Sequence, residues 1–235
     1  MIRSLTALIA LLALLFLAAC GDDDSDSGNG SGGGASAQTD TAAQDDQQCA
    51  RVDAPKAKPD GGATKPKGKL DPAKTHTVTF QTSCGDFTVT LDVEGAPNTA
   101  ASFAALARSG FYDDTVFHRI VPGFVIQGGD PTGTGTGGPG YKTVDKPPAN
   151  ASYTRGVVSM AKTAAEAPGT AGSQFYVVTG ADAGLPPDYA IVGEVTDGMD
   201  AVMRIEALGD PSGSEQPTRP VVIEKATVSA SAAGR

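Results

Sequence analysis

The stretch of sequence that decides the fold spans residues 117–131 and reads FHRIVPGFVIQGGDP. It contains most of two short runs rich in β-branched and aromatic residues, Thr115 to Val121 and Phe124 to Gln127, with Pro122-Gly123 between them. Runs of this length bounded by Pro and Gly are typical of short β-strands joined by turns. The stretch therefore predicts two strands that carry one permanent cation, Arg119, among apolar residues.

The residues before this stretch predict a hairpin and a helix. Thr77 to Phe80 and Phe87 to Leu91 alternate polar and apolar residues across a short Gly-containing segment, which is a hairpin signal. Ala96-Pro97-Asn98 opens a segment whose apolar residues recur at helical spacing and which ends at Gly110. Pro near the start and Gly just past the end are typical of a helix.

The residues after it predict more short strands and a second helix. β-rich runs cover Gly156 to Ala161, Gln174 to Thr179 and Ala190 to Val195. A helix is expected from Met199 to Leu208, and a last strand from Val221 to Val228. Many short strands with two helices and Gly/Pro-rich turns favour a mostly β fold, either a barrel or a sandwich with helical caps.

The N-terminus predicts export and lipidation. Leu5 to Ala19 are almost wholly apolar and follow one positive charge, and Leu17-Ala18-Ala19-Cys20 ends the run. Small residues before a cleavage point are typical of a secretory signal, and a cysteine directly after them resembles the bacterial lipobox. We therefore expect residues 1–19 to be a lipoprotein signal peptide. Cys20 would carry the lipid that anchors the protein outside the cytoplasmic membrane. An ordinary signal peptide or an uncleaved anchor helix is the alternative.

Residues 20–73 predict a flexible tether. Residues 21–48 carry seven Asp, no basic residue and no large apolar residue, whereas residues 51–74 carry seven Lys or Arg against three Asp. Gly/Ser-rich segments are flexible, and the four Pro of residues 51–74 favour extended chain. The Lys-rich part is expected to be a solvated linker, with contact to lipid headgroups or an acidic polymer as the alternative. The folded domain is then expected to span residues 74–230.

The chain has three cysteines. With Cys20 assigned to the lipid, Cys49 and Cys84 remain as an even pair in an oxidising compartment. A disulfide between them would join the end of the tether to the start of the domain. Two free thiols, or a bridge to another molecule, are the alternatives.

Charge and motif spacing exclude several classes of function. The net charge is −9, and residues 75–235 carry ten basic against seventeen acidic side chains, so no nucleic-acid partner is expected. His76 and His118 show no metal-ligand spacing, no Ser lies in a nucleophile elbow, and the Gly-rich residues 133–138 lack the Gly-Lys-Ser/Thr of a phosphate loop. We therefore expect neither a metal nor another cofactor, and nothing in the sequence suggests more than a monomer.

Four motifs in order resemble the cyclophilins. The quoted stretch matches their signature segment, and three further motifs follow at appropriate distances: Ser159-Met160-Ala161, Gly172 to Tyr176 and Ala190 to Val195. The similarity covers about Thr75 to Val228. It implies an eight-stranded antiparallel β-barrel capped by two α-helices, with a proline-binding groove on its outer face. It also implies peptidyl-prolyl cis–trans isomerase activity on proline-containing segments of exported proteins.

The resemblance assigns roles to particular residues. Arg119 is the expected catalytic residue, whose guanidinium would reach the prolyl nitrogen, and Gln127 would orient Arg119 and the substrate carbonyl. The substrate-binding residues are expected to be Phe124, Val125, Tyr176 and Leu185 in the proline pocket, Ala161 and Gln174 in the neighbouring groove, and Tyr189 beside them. His118 precedes Arg119 and so points to the other face of a strand; we expect it to be packed and hydrogen-bonded.

The sequence departs from the family pattern at four of these positions. Val125 stands where many members have Met, Tyr176 where Phe is common, and Tyr189 where His is common. Gly184 falls where many members have a Trp that supports binding of cyclosporin. We therefore predict weakened cyclosporin binding with isomerase activity largely kept. The alternative to an enzyme is a binding module that recognises proline segments as a chaperone or scaffold; a solute-binding lipoprotein is disfavoured because such proteins usually need two larger α/β lobes.

Overall fold

The computed structural model of the protein describes residues 49–232. Eleven strands and two helices follow one another in this part of the chain. In order they are β1 (Lys74–Thr82), β2 (Phe87–Leu91), α1 (Pro97–Arg108), β3 (Thr115–Val116), β4 (Arg119–Val121), β5 (Val125–Gly128), β6 (Thr143–Val144), β7 (Val157–Met160), β8 (Thr170–Ala171), β9 (Phe175–Val178), β10 (Ile191–Asp197), α2 (Met199–Glu206) and β11 (Val222–Ala232).

Nine of the strands form one curled antiparallel sheet in the order β3-β11-β1-β2-β10-β7-β9-β5-β4. A bridge between Val116 on β3 and Asp130, just beyond β5, connects the first strand of this order to the segment that follows the second-last. The alternating burial of β1 and β2 turns Val78, Phe80 and Phe87 inwards. β6 and β8 form a separate two-stranded sheet. The expected mostly β, barrel-like fold with two helices is confirmed.

An aromatic cluster fills the interior. The ring of Phe80 lies 5.1 Å from those of Phe87 and Phe175, and Phe103 of α1 meets Phe175 edge to face at 5.3 Å. All four side chains are at most 1% exposed. Rings at these separations add specific contacts to the large apolar area that they bury. This core fixes α1 and the β5–β9 side of the sheet, which carries the site.

The main sheet has nine strands instead of the expected eight because one predicted strand is divided, and the short strands β6 and β8 were not predicted. The run Thr115 to Val121 forms β3 and β4, which pair with different neighbours, β11 and β5. The last strand is also longer than predicted and extends to Ala232, because it pairs with β1 as far as Lys74. Both helices lie at their predicted positions and end slightly earlier.

Residues 49–73 do not behave as the predicted tether. They form an extended segment, hereafter the arm, that lies against the barrel. Ala63 and Leu70 of the arm pack on the core. Four of its backbone N–H groups donate to barrel carbonyls: Ala50 to Ser83 (2.6 Å), Lys58 to Pro131 (2.8 Å), Gly61 to Gly138 (2.9 Å) and Ala63 to Pro139 (3.1 Å). The folded unit therefore begins earlier than residue 74. Residues 20–48, the remainder of the predicted tether, lie outside the described residues.

Side chains, among them Cys49, Lys58, Asp60 and Lys65, fasten the arm further. Cys49 forms a disulfide with Cys84, with the two sulfur atoms 2.01 Å apart. The Lys58 ammonium donates to the carbonyl oxygens of Gly110 (3.1 Å) and Phe111 (3.3 Å), and also to that of Asp113. These partners lie far from the arm in sequence, which is why composition alone predicted a solvated linker.

Within residues 49–232, neither helix is long and apolar enough to cross a membrane. The predicted signal peptide and Cys20 lie outside the described residues.

Candidate active site

Register across three strands places the central side chains of the site. Arg119 on β4 is paired with Gln127 on β5, and Gln127 with Tyr176 on β9. Ile120 is fully buried whereas Arg119 and Val121 are only half-buried, because successive side chains of a strand point to opposite faces. A row of polar groups therefore runs across the outer face of the curled sheet.

The Arg119 guanidinium is held on two of its edges. Its Nε donates to Oε2 of Glu215 at 2.7 Å, and its Nη1 lies 3.4 Å from Oε1 of Gln127. The guanidinium carbon is 5.8 Å from the centre of the Phe124 ring. Within residues 49–232, Nη2 makes no hydrogen bond. That nitrogen is available to a ligand.

Gln127 is held in turn by a second glutamine. Its Nε2 donates to Oε1 of Gln174 at 3.1 Å. Gln174 Nε2 then donates to the carbonyl oxygens of Gly135 (3.0 Å) and Gly137 (2.9 Å) in the Gly-rich loop. This series of hydrogen bonds connects the loop to Arg119 and fixes the orientation of both side-chain amides.

Asp130, to which the sequence analysis gave no role, shapes the Gly-rich loop. Its carboxylate accepts from the N–H groups of Thr132 (2.7 Å), Gly135 (2.6 Å) and Gly137 (3.1 Å) and is 1% exposed. Burial by itself would raise the pKa of Asp130, but these donors lower it below its ordinary value. An acidic residue directly before a Gly-rich loop was the signal that could have identified it.

A cavity of about 270 Å³, walled mainly by aromatic and aliphatic side chains, lies beside the guanidinium. It is close to the lower end of the range for small-molecule sites, so it suits a small ring with its neighbouring atoms. It brings together eight of the predicted site residues with one more: Arg119, Phe124, Val125, Gln127, Ala161, Lys162, Tyr176, Leu185 and Tyr189. Its floor is well packed, since Val125 and Tyr176 are at most 4% exposed.

A second cavity of about 260 Å³ adjoins the first, and Gln127 and Ala161 line both. Gln174 and the Gly-rich loop line the second cavity only. Its rim carries an ion pair between Lys142 and Glu166, with nitrogen and oxygen 2.7 Å apart. The arrangement as a whole is a pocket walled mainly by aromatic and aliphatic side chains with a cationic donor at its edge, next to a groove lined by glycines and polar side chains.

Comparison with known proteins identifies the family. The family model described as cyclophilin type peptidyl-prolyl cis-trans isomerase/CLD matches residues 77–228. The chain belongs to the cyclophilin family. Its activity is the cis–trans isomerisation of peptidyl-prolyl bonds, in agreement with the names of its relatives.

Relatives in bacteria and fungi share this similarity. The peptidyl-prolyl cis-trans isomerase A of Mycobacterium tuberculosis is 40% identical over 176 residues, covering 67% of this chain and 94% of the relative. Peptidyl-prolyl cis-trans isomerase-like 1 of Aspergillus oryzae is 41% identical over 155 residues, covering 64% and 94%. A crystal structure of a Cryptosporidium parvum cyclophilin is 34% identical, with a TM-score of 0.60, covering 66% of this chain and 98% of that one.

Two departures from the family pattern can be located in this cyclophilin. The Tyr176 hydroxyl is buried beside Ser159, its register partner on β7, and burial raises the pKa of the tyrosine, so the phenol stays neutral. Gly184 has a φ of +62°, and a Cβ there would meet no other atom within 4 Å. The space where a side chain would stand at Gly184, the residue before Leu185 of the cavity, is therefore open. Weakened cyclosporin binding stays a prediction.

His118 lies between β3 and β4 in the chain, and its side chain is half-buried. Burial lowers its pKa, the neighbouring Asp130 raises it and Arg119 lowers it further. Both ring nitrogens are buried, and within residues 49–232 neither makes a hydrogen bond, so the expected hydrogen bond is not found there. The neutral ring is consistent with a structural residue.

Sequence reasoning missed Lys162, which follows Ala161 directly. Its Nζ lies 2.5 Å from an oxygen of Asp188 and 5.3 Å from the centre of the Tyr189 ring. The side chain is only 3% exposed, and its ammonium also donates to the carbonyl oxygens of Thr163 and Glu166. Within residues 49–232, no group of three His, Cys, Asp or Glu side chains is placed to hold a metal ion.

Proposed function

We propose that this cyclophilin accelerates X-Pro isomerisation in proteins that fold outside the cytoplasmic membrane, and that the lipid on Cys20 anchors it there. The lipobox-like residues 17–20 support the location. The Cys49–Cys84 disulfide also supports it, because structural disulfides persist in oxidising compartments. Its substrates would be proline-containing segments of exported chains.

The chemistry requires a twisted amide to be stabilised. Rotation about an X-Pro bond meets a barrier of roughly 18–20 kcal/mol because amide resonance is lost at the twisted geometry. A donor that favours the twisted amide over the planar one lowers that barrier without any covalent bond to the protein. The residues need only hold the proline ring and present the donor.

We assign the donor role to Arg119 and the binding of the ring to the cavity beside it. The observation that carries this assignment is the available Nη2 of a guanidinium that stands at the edge of that cavity. As the amide twists, the lone pair of the prolyl nitrogen becomes able to accept from Nη2. Gln127 keeps the guanidinium in place, while Phe124, Tyr176 and Leu185 enclose the ring.

A protease-coupled proline-peptide assay on the full chain tests the assignment. Arg119→Ala is expected to lower kcat/KM by about 10²-fold, as loss of one such donor does elsewhere, with an unchanged melting temperature. Arg108→Ala, which removes an exposed arginine at the end of α1, serves as the control and should keep full activity. Near-uncatalysed rates with the wild type would support the alternative of a non-catalytic binding module, whereas equal rates in the wild type and Arg119→Ala would contradict the role assigned to Arg119.

The location is tested separately. Intact mass of the protein from membranes of the producing bacterium is expected to show a chain that begins at a lipidated Cys20, and Cys20→Ala should release the protein from the membrane fraction. An unmodified Cys20 in a membrane-free protein would contradict the proposed location and leave the isomerase chemistry untouched.

A further inference from the structure

The loop between α2 and β11 has a defined shape. At its base Thr218 N–H donates to Leu208 O at 2.7 Å. At its tip the Asp210 carboxylate accepts from the N–H of Ser212 at 2.8 Å and from the hydroxyl of Ser214 at 2.6 Å. These bonds close the 208–218 loop on itself, so that its backbone can present a side chain in a fixed direction.

Glu215 joins this loop to the strand that carries the catalytic arginine. Its carbonyl oxygen accepts from the N–H of Ile120, next to Arg119, at 2.8 Å. Its φ is +62°, in the left-handed region that non-glycine residues seldom occupy. Such strained residues cluster at functional sites, where the surrounding structure holds them in place. A glycine would adopt this backbone more readily. The presence of a glutamate at this position therefore suggests that its side chain has a function.

The Glu215 side chain holds the edge of the guanidinium that Gln127 does not reach. Its Oε2 accepts from Arg119 Nε at 2.7 Å. The two side chains are 51% and 31% exposed, and exposed ion pairs contribute little to stability. The bond can nevertheless restrict the rotation of a long side chain. With Nε and Nη1 both engaged, the guanidinium plane is fixed and Nη2 is left for the substrate.

We propose that Glu215 is a positioning residue that holds the Arg119 guanidinium in the orientation needed for isomerisation. The proposal rests on the role assigned above to Arg119. A donor that must act on one geometry of the substrate loses effect when it is misplaced by a fraction of an ångström. Because the hydrogen bond to Arg119 lowers the pKa of Glu215, the carboxylate is ionised at neutral pH and the contact persists there.

The test compares three variants of the full chain. Glu215→Gln keeps the size of the side chain but removes its charge, and Glu215→Gly removes the side chain while accepting the positive φ. Glu224→Gln is the matched control, because Glu224 is an exposed carboxylate on β11 that makes no hydrogen bond or ion pair within residues 49–232. Isomerase kinetics, melting temperature and the NMR signal of the Arg119 Nε–H group are measured for each; loss of that signal in Arg119→Lys identifies it.

Both Glu215 variants are expected to lower kcat/KM by about three- to tenfold through kcat rather than KM, and to shift the Nε–H signal. The melting temperature of Glu215→Gly should equal or exceed that of the wild type, which a merely structural role would not produce. Glu224→Gln should match the wild type in all three measurements.

Wild-type kcat/KM in both Glu215 variants, or an unshifted Nε–H signal, would overturn the proposal. An increase in kcat/KM would also overturn the proposal, because it would mean that Glu215 competes with the substrate for the guanidinium in the wild type. If Arg119→Ala keeps its activity, it is the role of Arg119 that fails. If Arg119→Ala is inactive while the Glu215 variants are fully active, the positioning role alone fails.

Discussion

The proposed proline pocket and the arm are both assembled from segments far apart in the chain, but by different means. The pocket is made of side chains carried on neighbouring strands, whose register places Arg119, Gln127 and Tyr176 in a row. The arm has no strand partner and is held through its backbone, one disulfide and the side chains of Lys58, Asp60 and Lys65. Side-chain identity therefore carries the function of the pocket, whereas the arm depends on where the barrel presents its carbonyl groups.

Because of this difference, changes in the arm and changes in the pocket are expected to affect stability and activity separately. The arm covers part of the core at Ala63 and Leu70 and lines neither of the two cavities next to Arg119. Changes in its fastenings should lower the free energy of unfolding and leave the chemistry in place. Changes in the pocket should lower activity and leave the free energy of unfolding unchanged, as expected for Arg119→Ala.

The largest effect on stability is expected from loss of the disulfide. Cys49 and Cys84 are 35 residues apart, and the chain-entropy model gives about 3–4 kcal/mol for a loop of that length. The double variant Cys49→Ser/Cys84→Ser should melt on the order of 10 °C lower, as measured by calorimetry, with wild-type kcat/KM at 25 °C. A large loss of activity at a temperature where the variant is folded would contradict the separation of stability in the arm from activity in the pocket.

A smaller effect is expected from Lys58→Met. The ammonium of Lys58 serves three carbonyl groups around residues 110–113, and hydrogen bonds to charged groups contribute about 1.5–3 kcal/mol. We expect a loss of about 1–3 kcal/mol in urea unfolding. Lys56→Met is the control, since Lys56 is exposed and makes no hydrogen bond within residues 49–232. Equal losses in the two variants would contradict the anchoring role of Lys58.

The pH dependence of stability gives a further test, through His118. Burial lowers the pKa of His118 from 6.5, so the unfolded chain binds the proton more tightly than the folded one. Stability is therefore expected to fall as pH drops below about 6.5, by at most about 1.4 kcal/mol per pH unit from this group. Unfolding measured from pH 7.5 to 5.5 should show a smaller decrease in His118→Gln. Identical slopes would contradict a buried neutral imidazole.

The smallest effect is expected from Tyr176→Phe. The hydroxyl is buried beside Ser159, so its removal leaves the apolar wall of the pocket intact. We expect kcat/KM within about twofold of the wild type and a change in stability within about 1 kcal/mol. A tenfold loss in the coupled assay would show that the hydroxyl takes part in substrate binding.

The sequence analysis found most of the pocket because its residue types and spacing are visible without coordinates. It missed Lys162 and Asp130, whose roles depend on which loop folds over them. It missed Glu215 because the 208–218 loop meets β4 across almost 100 residues of chain. The division of Thr115 to Val121 into β3 and β4 was missed for a similar reason: both halves have strand-like composition, and only their different partners separate them.

The sequence by itself determined the two helices, most of the strands, the family and eight residues that line the cavity beside Arg119. These follow from local periodicity and from side-chain chemistry, both of which are properties of neighbouring residues. Only the tertiary structure decided that residues 49–73 lie on the barrel, that Asp130 shapes the Gly-rich loop, and that Glu215 meets Arg119. The physical reason is that a backbone N–H or C=O group is the same at every non-proline position. Which distant group it bonds is decided only when the chain has folded.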